Sequence, residues 1–137
     1  MSTDIRPELS TNNKYWTDRH RYYELKHFCL QYPIWKKARA NFDGMNTWYL
    51  RSTSKGNEIS DPTERDAFAR LFYTQRIELI ERVTRMTSPD LHEYLLKAVT
   101  EGVSYNYLKT RMGMPCGRDA YYLLYRKFFW LLSRERS

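Results

Sequence analysis

Apolar residues recur at helical spacing along most of the chain. Near its start they fall three and four residues apart, as the stripe of one amphipathic helix requires: Tyr22, Leu25, Phe28, Cys29 and Tyr32. Pro33 follows, and proline fits the first position of a second, shorter helix. This pattern predicts an N-terminal helical hairpin.

A stretch rich in glycine, serine and threonine comes next, and its lack of periodicity predicts a loop over 43–60. Asp61, Pro62 and Glu64 then occupy the positions of an N-cap, a first helical residue and a capping-box acid. A long helix is predicted from there to about residue 86. It carries a near-heptad apolar stripe formed by Phe68, Leu71, Phe72, Leu79, Val83 and Met86.

The C-terminal third predicts three more helices. Ser88 and Pro89 signal the start of the first, and Gly102 is placed to end it. Ser104 can cap a short helix, which Gly113 ends. The last helix, from about 117 to 132, has a stripe expected to face inward: Tyr121, Leu124, Tyr125, Phe128 and Leu132. Helix, short glycine-containing turn and helix is the helix-turn-helix plan.

We find no strand-like alternation and no internal repeat, so the predicted fold class is all-α. Its parts are the N-terminal helical hairpin, the long middle helix and a C-terminal three-helix unit with the helix-turn-helix over 88–132. The predicted domains are 1–60, with a disordered leader and the 43–60 loop, and 61–137, a helical domain.

Composition adds the expectation of a polyanionic partner. The net charge is +7 with a pI of about 9.5, and residues 102–137 hold seven basic and two acidic residues. The outer face of the last two predicted helices carries the candidate DNA-binding residues: Lys109, Arg111, Gly117, Arg118, Asp119, Tyr122, Arg126 and Lys127.

The order of these residues fits how recognition helices bind DNA. First-turn residues contact base edges, and later basic residues contact phosphate. Arg118 is placed to clamp a guanine, while Lys109 and Arg111 can reach the backbone. The helix start at Gly117 offers free amide N–H groups to a phosphate. A solvated basic face, or a helical unit that binds only protein, explains the same pattern.

The sequence contains no recognisable catalytic or metal-binding constellation. The three histidines are scattered, Cys29 and Cys116 fit no zinc spacing, and phosphate-binding and metalloprotease motifs do not occur. We therefore expect no enzyme activity, no metal and no cofactor. No apolar run reaches membrane-spanning length, and the polar first residues are unlike a signal peptide, so we expect no membrane partner.

The segment YLLKAVTEGVSYNYLKTRMGMPCGRDAYYLLYRKFFWLLS, at 94–133, resembles small phage and prophage proteins of Gram-positive bacteria. They are grouped with RinA-like and ArpU-like late-gene regulators, whose C-terminal halves are similar to region 4 of bacterial sigma factors. ISDPTERDAFARL, RIELIERV and YPIWKK also fit the family pattern. The resemblance implies a DNA-facing side formed by Arg118, Asp119, Tyr122, Arg126 and Lys127.

We therefore expect a phage-encoded transcription regulator that binds specific double-stranded DNA sequences in the host bacterial cytoplasm. Host RNA polymerase, another host protein and a second copy of the chain in a homodimer are further candidate partners. The alternative is a phage protein that inhibits a host factor, such as RNA polymerase or a defence nuclease, with its basic face mimicking or displacing nucleic acid. A third hypothesis is an RNA-binding accessory of genome packaging.

Overall fold

The structure, a computed structural model, describes residues 13–53 and 62–136, with side chains for 13–42 and 63–136. These residues form six helices: α1 Arg19–Leu30, α2 Tyr32–Thr53, α3 Pro62–Thr87, α4 His92–Glu101, α5 Tyr105–Arg111 and α6 Arg118–Glu135. The described part of the chain has no β-strand, which confirms the all-α class. The predicted leader lies outside the described residues except for its last position.

Several helix ends follow local signals in the sequence. The Asp18 carboxylate accepts from the backbone N–H of His20 at 3.1 Å and caps α1. The Ser104 hydroxyl oxygen accepts from the backbone N–H of Tyr107 at 3.1 Å and caps α5. Gly102 ends α4 with a φ of 70°, a left-handed conformation that costs little for glycine.

The start of α4 differs from the prediction. Ser88 and Pro89 lead into a turn, and the helix begins at His92. The Ser88 hydroxyl accepts from the backbone N–H of Leu91 at 3.1 Å, so it stabilises this turn and not the helix. Serine side chains form such local bonds as readily in turns as at helix starts, and the sequence does not distinguish the two.

The predicted loop over 43–60 is wrong at its N-terminal end. α2 continues to Thr53, so residues 43–53 are helical, and residues 54–60 lie outside the described part of the chain. No proline occurs between Pro33 and Pro62. One glycine inside a helix costs only about 1 kcal/mol, so Gly44 weakens α2 without ending it.

The chain forms two compact units whose boundaries differ from the predicted domains. One unit combines α1 with residues 79–136, and the other contains residues 32–78. This division places the two helices of the predicted hairpin in different units. The physical reason is the apolar stripe of α1, which is buried where this helix contacts α4 and α6.

In the first unit, α1 holds α6 in place. The Tyr22 ring meets the Phe129 ring edge-on, with centroids 5.0 Å apart. The Arg21 guanidinium donates to the hydroxyl of Ser133 at 3.1 Å, to its carbonyl at 3.0 Å and to the carbonyl of Arg136 at 3.2 Å. Aromatic packing and these bonds together fix the C-terminal half of α6 against α1.

The predicted inward stripe of α6 is confirmed in part. Tyr121, Phe128 and Leu132 are buried, while Leu124 and Tyr125 are half-buried. Phe129 lies outside the predicted stripe and is fully buried, because α1 covers that side of α6.

In the second unit, the N-terminal half of the near-heptad stripe of α3 faces outward, whereas Val83 in its C-terminal half belongs to the first unit and is fully buried. The side chains of Phe68, Leu71 and Phe72 are 63%, 50% and 45% exposed. Ile77 lies about half a helical turn around from Phe68, at about 100° per residue, and is fully buried. The guanidinium carbon of Arg76 lies 3.4 Å from the centroid of the Phe72 ring and covers part of it.

Candidate nucleic-acid interface

A single hydrophobic cluster joins α4, α5, the turn after α5 and α6. Its buried centre contains one residue from each of these elements: Ala98, Leu108, Met114 and Tyr121. Partly buried apolar side chains, including Val103, Met112 and Cys116, pack around this centre. The orientation of α6 relative to α5 is therefore set by side-chain packing.

A left-handed glycine and a backbone hydrogen bond define the turn between α5 and α6. Gly113 has a φ of 66°, a conformation that residues with a Cβ rarely adopt. This bend lets the backbone N–H of Met114 donate to the carbonyl of Leu108 at 3.0 Å. Met114 is thereby carried into the core, where it is 1% exposed.

Side chains of α5 also bind the carbonyl groups of this turn. The Tyr105 hydroxyl donates to the carbonyl of Cys116 at 2.9 Å. The Lys109 ammonium donates to the carbonyl of Met114 at 3.3 Å. Lys109 therefore has a structural bond in addition to its predicted place at a DNA backbone, while the rest of its side chain is exposed.

Arg118, the first residue of α6, is held by three side chains. Its Nη1 donates to the Tyr122 hydroxyl at 2.9 Å, and its Nη2 donates to Oδ1 of Asn106 at 3.2 Å. The guanidinium carbon lies 4.9 Å from the centroid of the Tyr105 ring, a cation–π contact. Two of the five guanidinium N–H groups are used in this way, which leaves three for a ligand.

The remaining predicted residues are spread along α6 and the end of α5. Asp119 is exposed in the first turn of α6, and Gly117 is exposed at its N-cap with a φ of −73°. Arg126 and Lys127 are half-buried further along the helix, and Arg111 is exposed at the last position of α5. The structure thus joins Arg118 to Tyr122 directly, and it gives no direct bond among the other predicted residues.

Positive charge accumulates on α5 and α6 because acidic side chains are nearly absent there. Asp119 is the only acidic residue between Glu101 and Glu135. Elsewhere in the first unit, Lys97 pairs with Glu101 at 3.1 Å and Arg82 pairs with Glu135 at 3.2 Å. Among the described residues, no ion pair involves the basic members of the candidate set: Lys109, Arg111, Arg118, Arg126 and Lys127.

The titratable groups of the core favour their neutral forms. Burial raises the pKa of the Cys29 thiol well above its usual range, and the positive charge of Arg136 opposes this only in part. Partial burial likewise raises the pKa of Cys116, against the influence of Lys109. Protonated thiols are poor nucleophiles and poor metal ligands.

Within residues 13–53 and 62–136, no group of three or more His, Cys, Asp and Glu side chains is placed to hold a metal ion. The helices of these residues include none that is both long enough and apolar enough to cross a lipid bilayer.

The sequence analysis missed Tyr105 and Asn106 as parts of the site. They lie 13 and 12 positions before Arg118, so no helical period connects them to it. Only the packing of α5 against α6 brings these side chains together. The helix-turn-helix assignment made from the sequence does not by itself say which side chains meet across the turn.

Comparisons of the chain with models of known protein families, with curated proteins and with solved structures find no match. A function must therefore be inferred from the chemistry of the chain's own residues.

Proposed function

We propose that this chain is a phage-encoded transcription regulator that binds specific double-stranded DNA sequences, with α5 and α6 as its helix-turn-helix. The observation that carries the proposal is Arg118, an exposed guanidinium on the first turn of α6 that α5 orients and that keeps three free donors. Arginine bound by two hydrogen bonds to guanine is the commonest specific contact in the major groove. The resemblance of residues 94–133 to phage late-gene regulators supports the regulatory role.

Other basic residues of α5 and α6 support contacts to the DNA backbone. Arg126 and Lys127 on α6, with Lys109 and Arg111 on α5, are basic groups without acidic partners in the described structure. The N-cap of α6 is Gly117, whose missing side chain leaves the first N–H groups of the helix available to an anion. Such contacts add affinity without reading sequence.

The salt dependence of binding to duplex DNA tests this proposal. Neutralising about four to six phosphates predicts a slope of log K against log salt concentration of about −4 to −5. We expect Arg126→Ala to weaken binding to all sequences alike and to reduce this slope by about one. We expect Arg118→Ala to lose discrimination at one base pair, worth about 1–3 kcal/mol, with a smaller effect on random DNA.

Fluorescence anisotropy with labelled duplexes, selected from a random pool, measures both effects. Lys97→Ala is the matched control, because it removes a basic side chain on α4 that pairs with Glu101. It should change neither the slope nor the discrimination. Absence of duplex binding at about 50 mM salt, a condition that favours phosphate contacts, would contradict the proposal. Equal loss on all sequences in both arginine variants would contradict it as well.

A second candidate function is inhibition of a host protein, such as RNA polymerase or a defence nuclease. The observation that favours it is the exposed group of Phe68, Leu71 and Phe72 on one side of α3, since exposed neighbouring apolar side chains are typical of protein-binding surfaces. Loss of binding to the purified host protein on Phe68→Ser, with duplex binding absent in the wild type, would support this function in place of the first.

A further inference from the structure

The side chains of Asn106 and Arg118 form a hydrogen bond between two different helices. Asn106 is exposed in the first turn of α5, and its Oδ1 accepts from Nη2 of Arg118 at 3.2 Å across the turn. Arginine is only a donor, so the partner atom must be the amide oxygen and the amide nitrogen points elsewhere. We infer that Asn106 is a positioning residue that fixes the base preference of Arg118, an inference that rests on the proposed DNA binding.

Three contacts from different directions define the plane of the guanidinium. The Tyr105 ring lies against it, the Tyr122 hydroxyl binds Nη1, and Asn106 binds Nη2. The Tyr105 ring is itself held, because its hydroxyl donates to the carbonyl of Cys116. With its plane fixed, the guanidinium holds its remaining donors in defined directions.

An arginine without such contacts can swing between a base edge and the nearest phosphates. Both positions satisfy its charge, but only the first reads sequence. A preorganised side chain loses less conformational freedom on binding. Because Arg118 is held in the position that contacts a base, this advantage applies to the correct base pair and increases discrimination between base pairs. Asn106 therefore affects specificity through Arg118, and the basic residues along α6 supply affinity independently of it.

The test compares substitutions of Asn106 in the full chain, with the selected duplex and its single-base variants as probes. We expect Asn106→Ala to reduce discrimination about tenfold at the base pair that Arg118→Ala affects, within the range of one bidentate contact. The salt slope should stay unchanged. Asn106→Asp keeps an acceptor oxygen at the same position, so it should retain the discrimination even though its added negative charge weakens binding to every duplex.

Three further variants separate a positioning role of Asn106 from a general effect on α5. Thr110→Ala is the matched control: this exposed residue lies one turn after Asn106, and its hydroxyl binds only the Asn106 backbone carbonyl, at 2.7 Å. It should leave discrimination unchanged. Tyr122→Phe removes the other acceptor of the guanidinium and should reduce discrimination at the same base pair. The double variant Asn106→Ala/Arg118→Ala should discriminate no worse than Arg118→Ala alone.

The outcomes distinguish this inference from the proposed function. Absence of duplex binding in the wild type overturns both. Duplex binding with wild-type discrimination in Asn106→Ala overturns the inference alone. Loss of discrimination in Asn106→Asp as well as in Asn106→Ala would also overturn it, because the amide nitrogen would then be the group that contacts DNA. If the double variant loses more discrimination than Arg118→Ala alone, the inference is likewise overturned, because Asn106 would then act independently of Arg118.

Discussion

Aromatic side chains of the first unit have two distinct roles at the scale of single residues. Tyr22, Phe128 and Phe129 fill the core between α1 and α6, where the two phenylalanine rings meet edge-on at 5.0 Å. Tyr105 and Tyr122 are half-buried and contact the guanidinium of Arg118. Phe128 belongs to the predicted stripe of α6, whereas Phe129 is buried because α1 covers its side of the helix. Tyr105 and Tyr122 lie on different helices and come together through the turn between α5 and α6.

Phe128 provides the sharpest stability test at this scale. It is fully buried, so we expect Phe128→Ala to lower the free energy of unfolding by about 3–5 kcal/mol, from lost apolar burial and the cavity left behind. Urea denaturation followed by circular dichroism measures the change. Leu123→Ala on the same helix is the control: its side chain is 46% exposed, and its effect should stay within about 0.5 kcal/mol. A loss below about 1 kcal/mol for Phe128→Ala would be inconsistent with this core.

At the scale of elements, the turn between α5 and α6 determines where the candidate site lies. Gly113 reverses the chain, Met114 enters the core, and Gly117 starts α6. Both glycines are exposed, and an added Cβ would meet no atom within 4 Å at either position. They differ only in backbone conformation, because φ is 66° at Gly113 and −73° at Gly117.

This difference predicts opposite responses to substitution. Gly113→Ala should destabilise the chain by about 1–2 kcal/mol, since a side chain in the left-handed region clashes with its own backbone. Gly117→Ser should cause no loss and can add a few tenths of a kcal/mol, because serine is a preferred N-cap. Thermal or urea unfolding of both variants checks the contrast. Similar losses in the two variants would mean that the φ values do not decide the cost.

Local signals allowed much of this architecture to be predicted from the sequence. Ser104, Gly102 and Gly113 mark helix ends because their effects depend only on neighbouring backbone groups. The continuation of α2 to Thr53 was missed, because polar composition lowers helix propensity without excluding a helix. The bond of Asn106 to Arg118 was missed for a different reason: it depends on tertiary packing, which no local pattern encodes.

At the scale of the whole molecule, the N-terminal helix is a structural part of the C-terminal unit. α1 buries Tyr22, Leu25, Phe28 and Cys29 and contacts both α4 and α6. The predicted boundary at residue 60 would separate these side chains from their partners and expose the inner face of α6. A fragment that contains the complete candidate site in sequence would thus lack the support that orients it.

We therefore expect the fragment 61–137 to lack cooperative unfolding at 25 °C, although it contains α4, α5 and α6 entire. Without α1, one side of the core is open, so α6 should stay partly helical while its aromatic rings lose their fixed packing. Near-ultraviolet circular dichroism and the dispersion of amide proton shifts detect this loss of packing. Excess peptide 13–31 should restore cooperative unfolding, because the four buried side chains of its α1 segment fill that side again. The same peptide with Tyr22→Ala and Phe28→Ala is the matched control and should not. Cooperative unfolding of 61–137 alone, with the midpoint of the full chain, would show that the C-terminal helices fold independently and that α1 is dispensable.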